Sequence, residues 1–278
     1  MVQITKTSDQ KYQYANILIF GESGSGKTHF LGTAPEGEMI IFNITSESGM
    51  LTLRGKNIDV IDIGSLREME EALKWLETEG VKKYRYVGID SFSQFQKNLE
   101  KQISATGFQL WAEVKEITKA VVDRIKSLPI NLVALCEVSM KDDDGGLKFI
   151  PSLVGSSKDE ISYWFDEVYY FEKTGKAGEV PVYRALTNSG SKYPCKSRIG
   201  GLPIVVENPT IPFVIEKLSP KMQAMEKPLE TNNIEAIKRM AMEKKVLIGN
   251  ILIAYGVKTV EELSLAQQID CINKLKAK

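Results

Sequence analysis

The amino-acid sequence predicts an α/β fold in which a mainly parallel sheet carries helices on both faces. Short apolar-rich runs of strand length recur along the first half of the chain, at residues 16–20, 39–42, 58–63, 84–89 and 131–136. Segments in which apolar residues follow helical spacing separate these runs. Strands that alternate with helices form βαβ units, which makes the strands parallel and places helices on both faces of the sheet.

The helices are predicted from caps and from periodicity. Ser65 is followed three residues later by Glu68, which is the pattern of a capping box at a helix N-terminus. The apolar residues after this cap recur at helical spacing, at Leu66, Met69, Leu73 and Leu76. Two further helices are predicted at residues 91–103 and 111–128.

The alternation stops after residue 138. Residues 141–146 predict an acidic turn, and a helix-like segment follows at residues 158–163. Two strand candidates, residues 167–172 and 180–186, are separated by glycines. This arrangement predicts an antiparallel extension at the edge of the sheet.

The last third of the chain predicts a separate helical region. Four prolines interrupt residues 201–220, which predicts a wrapped linker. Helical spacing of apolar residues returns from Ile234 onward. We therefore expect a core of residues 1–215 and a C-terminal helical appendage of residues 216–278.

The composition excludes several classes of protein. The 36 basic and 36 acidic residues balance, so no overall positive field attracts nucleic acid or a membrane surface. No apolar run approaches the roughly 20 residues of a membrane-spanning helix, so we expect no membrane association. The three cysteines lack metal-ligand spacing and predict reduced thiols in a cytoplasmic protein. Because His29 is the only histidine, histidine triads and histidine-based zinc sites are excluded.

The strongest motif follows the first predicted strand. It has a glycine, four residues, and then Gly-Lys-Thr, which is the phosphate-loop pattern; its members are Gly21, Glu22, Ser23, Gly24, Ser25, Gly26, Lys27 and Thr28, and His29 follows directly. Glycines let successive N–H groups point inward toward phosphate oxygens. Lys27 is expected to reach the β- and γ-phosphates, and the Thr28 hydroxyl to bind Mg²⁺. The alternative is a Gly/Ser-rich turn, but the flanking strand and helix favour a site for ATP and Mg²⁺.

Two acidic residues are expected near this loop, because ligands of parallel sheets lie at the carboxyl ends of the strands. Asp90 ends an apolar strand, where an aspartate commonly holds Mg²⁺ behind a phosphate loop; the alternative is a helix-capping aspartate. Ser91 follows it, so the catalytic base has to come from elsewhere. Glu47 is the best candidate base for activating a water molecule, and the alternative is a solvated loop glutamate.

These motifs and their order resemble the RecA-like ATPase core, most closely the small phage RecA-like ATPases of the single-strand annealing (Sak) group, over most of residues 16–200. The resemblance implies that Glu47 activates water and that Glu137 or Ser139 senses the γ-phosphate. Lys196 and Arg198 match a Lys-x-Arg pair that reaches the nucleotide of a neighbouring subunit, where it would act like an arginine finger. The alternative for this pair is an ordinary surface position. The sequence departs from the family pattern at Asn43 and Thr45, where an acidic residue is expected.

The resemblance also implies partners. It implies single-stranded DNA, a homo-oligomer in the form of a ring or filament, and a phage single-strand binding protein, all in the cytoplasm of a bacterial host. Residues 107–111 and 139–158 are the candidate DNA-binding loops, and their cations and aromatics are Lys141, Lys148, Lys158, Phe108, Trp111 and Phe149. Solvated loops with buried aromatics are an equal alternative. A small-molecule kinase and a nucleotide-switched scaffold remain the other functional classes.

Overall fold

A computed structural model of the protein describes residues 14–45, 49–143, 146–175, 180–190, 192–218, 233–244, 246–263 and 265–276. Contacts between residues divide the chain into two compact units, residues 1–224 and residues 225–278. The expected boundary after residue 215 falls inside a helix of the first unit, Ile211–Leu218.

The first unit is built on one sheet. Its strands in the described residues are β1 (Asn16–Gly21), β2 (Met39–Ile44), β3 (Asp59–Ile63), β4 (Tyr86–Asp90), β5 (Asn131–Asp143), β6 (Gly146–Pro151), β7 (Glu167–Thr174), β8 (Val182–Leu186), β9 (Lys196–Ser197) and β10 (Val205–Glu207). The order across the sheet is β10-β8-β7-β1-β5-β4-β2-β3. All neighbours from β7 to β3 are parallel, whereas β8 and β10 are antiparallel to their neighbours. The predicted α/β class with a mostly parallel sheet is confirmed.

Helices cover both faces of this sheet. They are α1 (Lys27–Leu31), α2 (Leu66–Trp75), α3 (Val81–Lys83), α4 (Phe92–Gln102), α5 (Gly107–Lys126), α6 (Ser157–Trp164) and α7 (Ile211–Leu218). Alternate residues of β1 point to opposite faces. Leu18 and Phe20 lie in one buried core with residues of α2, α4, α5 and α6. Ile17 and Ile19 lie in the other core with residues of α1 and α7.

The predicted acidic turn at residues 141–146 is wrong over most of its length. β5 continues to Asp143 and pairs with β6 as an antiparallel hairpin, in which Lys141 lies opposite Lys148. Cross-strand hydrogen bonding outweighs the low strand propensity of the aspartates, which is a tertiary effect that a local pattern misses. The strand predicted at residues 167–172 also differs, because β7 is parallel to β1 and antiparallel only to β8 and β9.

The predicted wrapped linker at residues 201–220 is wrong as well. This region contains β10 and α7, and α7 buries Ile211, Val214 and Leu218 in the core that it shares with α1. Pro212 lies in the first turn of α7, where the missing N–H of a proline costs no helical hydrogen bond. Pro212 is therefore compatible with the helix that the pattern of prolines was expected to exclude.

The second unit is helical in the residues that are described. It contains α8 (Asn233–Glu243), α9 (Ile248–Tyr255) and α10 (Leu265–Lys276). Its core is formed by Ile237, Ala241, Ile251, Val260, Leu263, Cys271 and Leu275. Gly256 ends α9 with φ of 67°, a left-handed cap that glycine adopts without steric cost. Within the described ranges, no helix combines the length and apolar character that crossing a membrane requires.

Candidate nucleotide-binding site

The phosphate loop begins where β1 ends, at the carboxyl edge of the parallel strands. Gly21 lies opposite Glu137 of β5 and Phe171 of β7. A Cβ atom at Gly21 would lie 2.3 Å from the Phe171 carbonyl oxygen, so no larger residue fits between these strands. Gly24 and Gly26 have φ of 76° and 94°, values that favour glycine. The glycines of the motif are therefore required by the turn itself.

Lys27 is directed back into the loop. Its ammonium group donates hydrogen bonds to the carbonyl oxygens of Gly21 at 2.7 Å and Glu22 at 2.8 Å. Ser25 is buried and its N–H donates to the Glu22 carbonyl at 3.2 Å, whereas the Glu22 and Ser23 side chains are exposed. The Lys27 ammonium thus lies within the turn of the loop, where the motif predicts that the phosphates bind.

Thr28 and Asp90 meet beside the loop. The Thr28 hydroxyl donates a hydrogen bond of 2.7 Å to Asp90 Oδ2, and Asp90 is only 4% exposed. Burial raises the pKa of the Asp90 carboxyl, while the Thr28 hydrogen bond and the charge of Lys27 act in the opposite direction. A hydroxyl and a carboxylate are the oxygen ligands that Mg²⁺ uses next to phosphates. This pair therefore fits the predicted magnesium site.

Gly49 completes this corner of the site, and the sequence patterns did not identify it. A Cβ atom at this position would lie 3.0 Å from Asp90 Oδ2 and 3.3 Å from Thr28 Oγ1. Gly49 begins a 3₁₀ segment, Gly49–Leu53. The predicted base, Glu47, lies outside the described residues, so only the flanking residues of its loop can be placed. Those are Thr45 after β2 and Gly49 against Asp90.

Glu137 is near the loop, but its side chain is held by a neighbouring helix. Its carboxylate forms an ion pair of 2.7 Å with Lys97 of α4, and its N–H donates to Ser93 Oγ at 2.9 Å. Ser139 lies two residues further along β5, opposite Ile150 in the hairpin. Of the two candidate γ-phosphate sensors, Glu137 is therefore the one beside Gly21.

Lys196 and Arg198 are not brought to the phosphate loop of their own chain. Lys196 pairs with Val168 near the start of β7, whereas Gly21 pairs with Phe171. Val168 and Phe171 are three residues apart on β7, which is roughly 10 Å along a strand. Lys196 is displaced by this distance from the level of Gly21, toward the amino ends of the parallel strands. The pair is therefore remote from the phosphate loop of its own chain.

An aromatic pair lies over the outer side of the loop. The Tyr183 ring of β8 is so close to Gly26 that a Cβ atom there would lie 2.6 Å from Tyr183 Cδ1. The same ring stacks on the imidazole of His29 at 5.7 Å between centroids. Asn208, with φ of 46°, accepts a 3.1 Å hydrogen bond from the Tyr183 N–H. Tyr183 belongs to no sequence motif, so only the fold connects it with the loop.

The fold and this loop define a P-loop protein that binds a nucleoside triphosphate. A family model described as an AAA domain matches residues 13–199, more than half of the 278 residues. The chain belongs to that family, which is a P-loop ATPase-type family. No curated protein matches the chain. Nucleotide binding and ATPase-type chemistry are therefore properties of its family, with Mg²⁺ as the usual companion ion.

Proposed function

We propose that this protein is a RecA-like ATPase that binds single-stranded DNA and assists phage-type recombination or annealing as a ring or filament. The observation that carries the proposal is the continuity of β5. At Glu137 this strand lies beside the first glycine of the phosphate loop, and it then continues into the β5–β6 hairpin. A single strand therefore joins the nucleotide site to an exposed element that could hold a polymer.

The composition of the hairpin supports a nucleic-acid ligand. Lys141 and Lys148 are cross-strand neighbours, and Met140 is 67% exposed beside them. Lysines attract the phosphate backbone, while exposed apolar side chains can pack against bases. The Lys141 ammonium also forms an ion pair of 3.0 Å with Asp159, which partly neutralises the positive charge of the hairpin. We therefore expect moderate DNA affinity that falls with salt.

The second candidate loop lies close to the region that follows the hairpin. Trp111, in the first turns of α5, packs against Gly155, where a Cβ atom would lie 3.0 Å from Trp111 Cβ. Phe108 is 87% exposed and meets Trp111 edge to face at 5.5 Å between centroids. Exposed aromatic rings at adjacent turns offer stacking surfaces for successive bases. The two candidate segments, residues 107–111 and 139–158, therefore approach each other at Trp111 and Gly155.

The chemistry that we propose follows from the site residues. Lys27 and the loop N–H groups bind the phosphates, while Thr28 and Asp90 hold Mg²⁺. That ion neutralises charge on the β- and γ-phosphate oxygens when it is bound. Glu47 removes a proton from the attacking water. Arg198 stabilises the charge that develops at a neighbouring subunit's nucleotide, and Lys196 is the other member of the matched Lys-x-Arg pair.

The remaining parts of the proposal concern partners and organisation. The resemblance to the phage group supports a phage single-strand binding protein as a further partner and the bacterial host cytoplasm as the location. The second unit, residues 225–278, is an appendage to the ATPase core. Its α8–α10 bundle has its own apolar core, which is consistent with a separate role in binding a partner or DNA.

ATP hydrolysis measured with and without single-stranded DNA tests the proposal. We expect DNA to stimulate hydrolysis and Phe108→Ala to lose about 1–3 kcal/mol of DNA affinity, the usual value of one stacked base. Ile204→Ala, which removes another exposed apolar side chain, is the matched control and should not alter affinity. Absence of DNA binding at low salt, with and without ATP, would refute the DNA-linked function. Phosphate transfer to a small molecule would identify a kinase, and nucleotide binding without turnover would identify a scaffold.

A further inference from the structure

A buried carboxylate lies behind Arg198, at the edge of the sheet opposite the phosphate loop. Asp166 is 8% exposed and precedes β7 directly. Asp166 Oδ2 accepts a 3.1 Å hydrogen bond from the Asn16 amide and lies 3.9 Å from the Lys126 ammonium. Asp166 Oδ1 lies 3.4 Å from the Arg198 guanidinium. Three side chains from separate parts of the chain thus converge on one carboxylate.

Lys126 and a second lysine, Lys196, donate hydrogen bonds to the end of a neighbouring helix. Lys126 donates to the Trp164 carbonyl at 2.7 Å, and Lys196 donates to the Ser162 carbonyl. Both carbonyls belong to the last turn of α6, where helix carbonyls lack helical partners and favour cations. Burial lowers the pKa of Lys196, and the charge of Arg198 lowers it further, whereas the charge of Asp166 acts in the opposite direction. Lys126 and Lys196 therefore act as caps of α6.

Arg198 differs from both lysines. Its side chain is 45% exposed, and its backbone N–H donates to the Asp166 carbonyl at 3.0 Å. Asp166 therefore holds Arg198 both through its backbone and through its side chain. The side-chain contact is made by one terminal nitrogen, Nη1, and a guanidinium has five N–H donors in a rigid fork, so this single contact leaves donors that Asp166 does not use. This is the arrangement that a cation needs in order to reach a phosphate on another molecule.

We propose that Asp166 is the positioning residue that directs Arg198 toward the nucleotide of a second copy of this chain, and that Lys196 serves the fold as a cap of α6. The inference rests on the proposed action of Arg198 between subunits. It divides the Lys-x-Arg pair into one residue that acts on the nucleotide and one that supports the helix beside it. A misplacement of about 1 Å can cost on the order of 10²-fold in rate, so loss of Asp166 should lower the rate of ATP hydrolysis.

The test is Asp166→Asn, which keeps the size and the contact with Asn16 but removes the charge. We expect kcat for ATP to fall about 10- to 100-fold while KM for ATP stays unchanged, because the variant's own phosphate loop is remote. Glu207→Gln, which breaks the exposed Arg184–Glu207 pair of 3.0 Å, is the matched control and should retain kcat. Lys196→Met should lower the melting temperature and leave kcat within a few-fold of the original protein.

Mixing experiments separate positioning from damage to the fold. Asp166→Asn should regain activity with Glu47→Gln, whose Arg198 is intact, and should gain nothing with Arg198→Ala, which has the same defect. A damaged subunit would not be rescued by either. If Arg198→Ala and Glu47→Gln rescue each other while Asp166→Asn alone is fully active, the inference about Asp166 is overturned and the subunit mechanism stands. If Arg198→Ala and Glu47→Gln show no rescue, the proposed function between subunits is what fails.

Discussion

Replacing Gly49 with alanine should weaken the magnesium site without unfolding the protein. The new Cβ atom would lie 3.0 Å from Asp90 Oδ2 and 3.3 Å from Thr28 Oγ1, so these oxygens or the Gly49 backbone have to move by a few tenths of an ångström. Mg²⁺ demands nearly ideal geometry with oxygens at about 2.0–2.1 Å. We expect the affinity for Mg²⁺-ATP to fall on the order of tenfold, which corresponds to about 1.4 kcal/mol.

The assay is ATP binding with Mg²⁺ and with a chelator. Gly49→Ala should lose affinity only when Mg²⁺ is present, because phosphate contacts with Lys27 do not involve residue 49. Gly190→Ala is the control, since nothing lies within 4 Å of the added methyl group and its backbone is not in the left-handed region. Equal losses with and without Mg²⁺, or no loss at all, would contradict the placement of the metal between Thr28 and Asp90.

Three further variants address the site directly. Lys27→Ala should abolish productive ATP binding, and unchanged affinity in the folded variant would refute the phosphate-loop assignment. Glu47→Gln should keep ATP binding and lower turnover by about 10²–10⁴, as measured by ATPase rates beside binding titrations. Asp90→Asn should raise the melting temperature of the nucleotide-free protein at neutral pH, because burial raises the pKa of Asp90 and its charged form opposes folding. That gain should vanish as the pH falls and Asp90 in the original protein becomes protonated; a gain that persists at low pH would exclude this explanation.

The parallel core and the loop geometry were predictable from the sequence because they depend on local signals. Apolar runs of strand length identified β1, β2, β4 and β5, and the glycine spacing located the phosphate loop next to β1. Asp90 was predicted at the same edge because parallel strands place their carboxyl ends together. The structure brings the Asp90 carboxylate to the Thr28 hydroxyl at 2.7 Å, in agreement with that expectation of proximity.

The errors arose where distant residues decide the local structure. The aspartates at the end of β5 have the composition of a turn, but their pairing with β6 makes them part of a strand. The proline-rich segment has the composition of a linker, but it contains α7, which packs into the same buried core as α1. Gly49, Tyr183 and Asp166 belong to no motif, and each is identified only by a close approach across the fold. Contacts between segments far apart in sequence produce no local pattern in a single sequence. The roles of these residues therefore could not be predicted.

The central claim is that one chain completes the ATP site of another, and mixing two variants tests it most directly. Arg198→Ala lacks the proposed finger but keeps its own loop, whereas Glu47→Gln lacks the base but keeps Arg198. At a mixed interface an intact Glu47 can meet an intact Arg198, so the account predicts that two poorly active proteins regain ATPase activity when combined. It also predicts that the specific activity of the original protein rises with its concentration. A mixture no more active than its components, with a concentration-independent ATPase, would show that the site is complete within one chain.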